Sequence, residues 1–297
     1  MGIYIKNNRL VGGKVKNGIK NINTEIIQNH INTSTVNKLL NKNASSDKSV
    51  FSSRSPYGGP GDAGVWVRNP SCWLNGVNNI SCFRPAQRSG AHWFQRSGTL
   101  ITRKHFILAK HFTFALLEGG TGIIFVDENN NAIKRNLIQY AFDPITDIAI
   151  GLLDNEVPSN ISIAKVLPTN YYNYIKLPLL AVGLDQEEKA LLKVWTGFLN
   201  YGSYLYVSVD SVYASAFPQY ANYTGFSETM IAGDSGDPIF VIIDNTLVLL
   251  GCWHTAISGP FITNRYNKVN ELIETLSPNQ GYSLSPIDLE LVYHKYR

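Results

Sequence analysis

From about residue 90 onward, the apolar positions fall in short runs broken by turn residues, the pattern expected of β-strands. Thr99-Leu-Ile-Thr102 and Phe106-Ile-Leu-Ala109 follow a break at Arg96-Ser-Gly98. Gly122-Ile-Ile-Phe-Val-Asp127 leads through Glu128-Asn-Asn-Asn131 into a second run that reaches Tyr140. Lys193-Val-Trp-Thr-Gly-Phe-Leu199 and Tyr204-Leu-Tyr-Val-Ser-Val209 are rich in β-formers. Ile239-Phe-Val-Ile-Ile243 and Thr246-Leu-Val-Leu-Leu250 flank Asp244-Asn245, which predicts two buried strands joined by a two-residue turn. Asn270-Glu-Leu-Ile-Glu-Thr-Leu276 is the clearest short helix, stopped before Pro278. Many short strands and few helices predict an all-β sandwich or barrel.

Residues 1–55 read differently. They are rich in Asn and Lys, and their Ile, Val and Leu residues stand apart without a sustained period. This predicts a polar N-terminal arm ahead of one folded region over 56–297. The Gly58–Gly64 cluster punctuates the boundary. Residues 56–90, with Trp66 and Trp73, suit a lid or a layer packed on the first barrel.

Composition narrows the function. Hydrophobic residues make up 44% and charged residues 16%, so the chain buries a core. The net charge of +4 is uneven: residues 1–50 hold eight Lys or Arg against Glu25 and Asp47, which leaves the remainder slightly acidic. No nucleic-acid-binding face follows from a basic tail. The start of the chain has no apolar signal core, and the longest apolar stretch, Ile239–Leu250, is broken by Asp244-Asn245. A soluble protein without membrane insertion is expected. Cys72, Cys82 and Cys252 include no C-x-x-C pair, so no metal site and no cofactor is expected. Cys72 and Cys82 would suit a disulfide in an oxidising compartment, while Cys252 sits in an apolar run as a buried thiol.

The chemistry gathers at three places. Gly233-Asp-Ser-Gly-Asp-Pro238 precedes the buried hairpin, and its glycines permit the tight turn that exposes a nucleophilic Ser235. His111 stands at the exit of the run that buries Phe106 and Leu108, where an imidazole can face a cleft as general base. Asp147 opens Asp-Ile-Ala-Ile-Gly-Leu-Leu153; an acid entering an apolar strand needs a partner.

These three blocks, in the order His, Asp, Ser, resemble those of the chymotrypsin/trypsin-like serine peptidases. The resemblance covers about residues 90–265. It implies two six-stranded antiparallel β-barrels, with the short C-terminal helix and the N-terminal arm outside them. It further implies a serine endopeptidase acting on protein or peptide substrates through His111, Asp147 and Ser235, with the Gly233 and Ser235 N–H groups as oxyanion hole. The usual Cys and Ala around the histidine are replaced by Phe112 and Lys110, and a usual Gly by Asp237. Arg9-Leu-Val-Gly-Gly13 resembles an activation cleavage site but lies too far from His111. Asp234 would then need a partner other than a freed N-terminus. The resemblance places the pocket for the substrate side chain between Glu228–Ala232 and Gly251–Ala256, with Thr229 and His254 as lining residues and Trp253 as a competitor for the pocket. The alternative function is an inert or self-cleaving protease-like module used for structure or binding.

Overall fold

A computed structural model describes residues 22–55, 64–85, 97–113, 121–202, 204–210 and 218–297, together with the backbone of two short strands before them. In chain order these are β1 (Ile5–Lys6) and β2 (Arg9–Leu10), then helix α1 (Thr24–Leu39), β3 (Phe51–Ser55) and β4 (Val65–Arg68). Next come β5 (Phe83–Arg84), β6 (Gly98–Leu100), β7 (His105–Ala109), β8 (Thr121–Val126), β9 (Ala132–Phe142) and β10 (Ile148–Leu153). The second half holds β11 (Lys165–Val166), β12 (Leu179–Leu184), β13 (Ala190–Tyr201), β14 (Tyr204–Asp210), β15 (Pro238–Ile243), β16 (Thr246–Cys252) and β17 (Ser258–Pro260). The chain ends with α2 (Tyr266–Leu276), β18 (Ser285–Pro286) and α3 (Leu289–Tyr296).

The strands form two main sheets. The first has six antiparallel strands in the order β5-β6-β7-β10-β9-β8 and curls into a nearly closed barrel. The second has eight, in the order β17-β14-β13-β12-β15-β16-β11-β18. This departs from the expected second set of six antiparallel strands. The two-residue strands β11 and β18 extend the sheet by parallel pairing, β11 to β16 and β18 to β11. The connections between their partners are long, as parallel pairing requires.

Alternation along the strands sorts the core. Leu100, Phe106, Leu108, Ile123, Phe125 and Ala149 fill the first barrel. Their neighbours Ile107, Ile124, Ile148 and Ile150 face a layer shared with Leu180, Val182, Leu192 and Phe240 of the second sheet. Both faces are therefore buried, which is why these strands read as unbroken apolar runs rather than as alternating ones. The β15–β16 hairpin turns at Asp244 and Asn245 with φ of 49° and 59°, as the sequence predicts. The predicted C-terminal helix extends back to Tyr266, and α3 follows it unannounced.

The second half of the segment expected as an arm contains the sixteen-residue helix α1. Asn23 caps it by accepting from Glu25 N at 3.1 Å. Ile27, Ile31, Thr35 and Leu39 recur every fourth residue on its buried face. The side chain of Asn32 accepts from Leu180 N at 2.8 Å, satisfying a backbone donor of β12. The three aliphatic residues are each worth roughly 1.5–3 kcal/mol of burial.

Residues 64–85 tie the two sheets together. Trp66 packs edge-on against Phe51, Trp73 Nε1 donates to Ala190 O of β13 at 2.8 Å, and Arg68 Nε donates to Asp127 O beside β8 at 2.8 Å. Cys72, Cys82 and Cys252 are free thiols, all buried. Among the described residues, no helix is long and apolar enough to cross a membrane.

Candidate active site

The structure brings His111, Asp147 and Ser235 together where the two sheets meet. Strand β7 is buried along its length, and the chain bends after Ala109 into a 3-10 turn, Lys110–Phe112, that turns His111 outward. Asp147 immediately precedes β10, which pairs antiparallel with β7 so that Ile148 lies opposite Ala109. Lys110 N donates to Asp147 O at 2.9 Å and continues that ladder by one step. The histidine and the acid are thus neighbours because two strand ends are neighbours.

The geometry assigns the protons. Asp147 Oδ1 accepts from His111 N at 2.8 Å, and Oδ2 lies 2.6 Å from His111 Nδ1. A carboxylate only accepts, so Nδ1 is the donor and the neutral ring leaves Nε2 as acceptor. Ser235 Oγ lies 3.0 Å from that Nε2. The Asp147 side chain is 9% exposed and that of His111 45%, so the acid is enclosed while the base faces solvent.

Ser235 rides on a turn that only glycines allow. Gly233 and Gly236 have φ of +109° and +91°. A Cβ on Gly236 would lie 2.9 Å from Ser97 O, so this residue is also the point where the turn touches the first sheet. Gly236 N donates to Trp253 O and Trp253 N to Asp237 O, fastening the turn to the end of β16. Among the described residues, the N–H groups of Gly233 and Ser235 donate to no protein acceptor.

Buried charge braces the turn from below. Asp234 accepts from Ile231 N at 2.6 Å and Gln186 N at 3.1 Å, partners that the sequence did not reveal. Burial pushes its carboxyl up, opposed by those two bonds and by the charge of Lys193. Lys193 is fully buried in β13 and donates to Glu228 O. Burial lowers its pKa to about 8 against the pull of Asp234 and Asp185. Asp185 is raised to about 6, chiefly by burial, and Asp237 is raised well above the usual range for the same reason. Gln186 adds a direct hold, because its Nε2 donates to Ala232 O at 3.1 Å. The C=O and N–H of a trans peptide point in opposite directions, so this bond turns the Gly233 N–H away from Gln186.

Of the two residues expected to line the specificity pocket, one lies against the catalytic-site candidates and the other on the surface. His254 points at the acid: its Nδ1 lies 2.8 Å from Asp147 Oδ2, the oxygen that His111 also uses. Tyr206 stands edge-on to its ring at a centroid distance of 5.5 Å. Trp253 turns the opposite way into the second sheet, where Nε1 donates to Leu184 O at 3.1 Å. Alternation sends neighbours to opposite faces, so Trp253 going inward sends His254 to the cleft. Thr229 is exposed on the segment before Met230, and no described contact joins it to the triad residues.

No family model matches the sequence, and no curated protein matches it. Solved structures do match. A double mutant of human heparin binding protein (CAP37) superposes with a TM-score of 0.50 at 11% identity, over 69% of this chain and 95% of that one. At that identity the likeness speaks of fold, and the fold of this chain is chymotrypsin-like.

Proposed function

We propose that the protein is a serine endopeptidase with Ser235 as nucleophile, His111 as general base and Asp147 as the group that orients it. One observation carries this reading: the unbroken line from Ser235 Oγ through His111 to Asp147, with separations of 3.0 and 2.6 Å. His111 Nε2 takes the hydroxyl proton as Oγ attacks the peptide carbonyl, and Asp147 stabilises the imidazolium that forms. The Gly233 and Ser235 N–H groups then receive the oxyanion. His111 returns its proton to the leaving amine, and water repeats the sequence on the acyl-enzyme. The enclosed acid and half-exposed base favour this use, since the substrate reaches the imidazole without disturbing its anchor.

The test is labelling by a fluorophosphonate probe. The parent protein is expected to label, and Ser235→Ala and His111→Ala are expected not to. Labelling that survives Ser235→Ala would remove the nucleophile. A folded parent that never labels would shift the reading to an inert module.

A further inference from the structure

The second imidazole on Asp147 has no part in the mechanism above. His254 Nδ1 and His111 Nδ1 lie 2.8 and 2.6 Å from the same oxygen, Asp147 Oδ2. The two rings stand nearly perpendicular, at 84° with centroids 5.4 Å apart. One ligand atom from each of the three residues falls within 4.8 Å of the other two. Two imidazoles and one carboxylate match what a borderline divalent transition ion takes, whereas Ca2+ and Mg2+ call for oxygen donors throughout.

We propose that His111, Asp147 and His254 form a binding site for a divalent transition-metal ion of the Zn2+ class, and that the bound ion silences Ser235. The silencing rests on the serine-peptidase reading; the binding does not. Metal–ligand bonds of about 2.0–2.2 Å in a tetrahedral set hold the donors about 3.3 Å apart. The two N–O separations, 2.6 and 2.8 Å, therefore need to open by about 0.7 and about 0.5 Å to reach that spacing. Both rings have room to move, because the side chains of His111 and His254 are 45% and 32% exposed. The same exposure lets water complete the coordination. Asp147 is the fixed member, held by the His111 N–H on its other oxygen.

The inhibition follows from the tautomer. An ion on Nδ1 of the neutral His111 ring requires the ring proton to sit on Nε2, reached by exchange with water. Nε2 then meets the Ser235 hydroxyl as a donor, and the serine has no base. No net proton is lost and no bond to carbon changes.

Calorimetric titration of Ser235→Ala protein with ZnCl2 tests the site without using activity. It is expected to bind one ion at this position. Adding His254→Ala should weaken that binding about 100-fold or abolish it, while adding His30→Ala should leave it unchanged. His254→Gln, which keeps a side-chain donor toward Asp147, serves if the alanine variant fails to fold. Zinc held as tightly after either His254 substitution overturns the site. In the parent, Zn2+ should slow fluorophosphonate labelling and EDTA should restore it, and the rate in His254→Gln should ignore zinc. A parent that binds zinc through His254 yet never labels would sink the nucleophile and keep the metal site. A parent that labels normally in saturating zinc would overturn the inhibition.

Discussion

His111 and Asp147 stand just beyond adjoining ends of β7 and β10, where the register that pairs Ile148 with Ala109 brings the histidine beside the acid. Ser235 owes its place to a different kind of support. Its turn contains Asp234 and leads into Asp237, both buried like Asp185 and Lys193, and the Gln186 side chain holds the turn's entry at Ala232 O. The first sheet positions its share of the site by backbone pairing and apolar packing. The second positions its share by enclosed ionisable groups, which are costly to bury without partners. A substitution in the first region should therefore separate chemistry from stability, and one in the second should damage both.

The largest effect tests the first half of that contrast. Asp147→Asn is expected to lower kcat about 10^4-fold, with a urea midpoint close to that of the parent. A large loss of stability would show that the acid holds the barrel together. Lys193→Met replaces a buried cation by an apolar chain of similar length and leaves Asp234 and Asp185 without its charge. The expected cost is about 3–5 kcal/mol in urea unfolding, with a parallel loss of labelling. An unchanged midpoint would break the comparison. Gly233→Ala should act on chemistry from within the second region, since its φ is +109° and the new Cβ would lie 2.5 Å from Gln186 Oε1. A fall of about 10^2–10^3 in kcat with little change in KM is expected, as for a lost oxyanion donor.

Acid should push the two regions in opposite directions. His105, at the start of β7, is fully buried between Thr102 Oγ1 and Ser277 Oγ, and burial lowers its pKa to about 4. The unfolded chain takes up a proton near 6.5 that the folded one refuses, so this residue costs stability as pH falls from 6.5 to 4, at most about 3 kcal/mol. Asp185 has the opposite sign. Its folded pKa near 6 exceeds the unfolded value, so it contributes stability at low pH that is lost as pH rises through 6. Relative to the parent, His105→Gln should gain stability between pH 6.5 and 4, and Asp185→Asn should lose it. Thermal melts across that range decide the signs.

The same contrast explains what could be read from residues alone. His111, Asp147 and Ser235 each carry a local signature, an apolar run or a glycine turn, and each falls where that signature places it. His254 is visible as a residue, but its direction depends on which face of β16 meets the first sheet, a relation between sheets that no local run contains. Lys193 sits in a stretch otherwise fit for a buried strand, and its acidic neighbours lie in separate segments. The helix α1 escapes notice because Thr35 interrupts its aliphatic stripe and Ile26 and Val36 lie off it. Strands β11 and β18 are two residues long and are defined only by the strands beside them.

The link between Asn32 and β12 has a consequence for covalent modification. Asn32-Thr33-Ser34 spells an acceptor triplet for N-linked glycosylation, a reaction that attaches sugar to the side-chain nitrogen and sets a bulky, hydrated branch outside the protein. Here Asn32 is 7% exposed and its side-chain oxygen is committed to Leu180 N. Once α1 has docked, the triplet is closed to the transferring enzyme, and an oligosaccharide added before docking would keep the helix off its sheet.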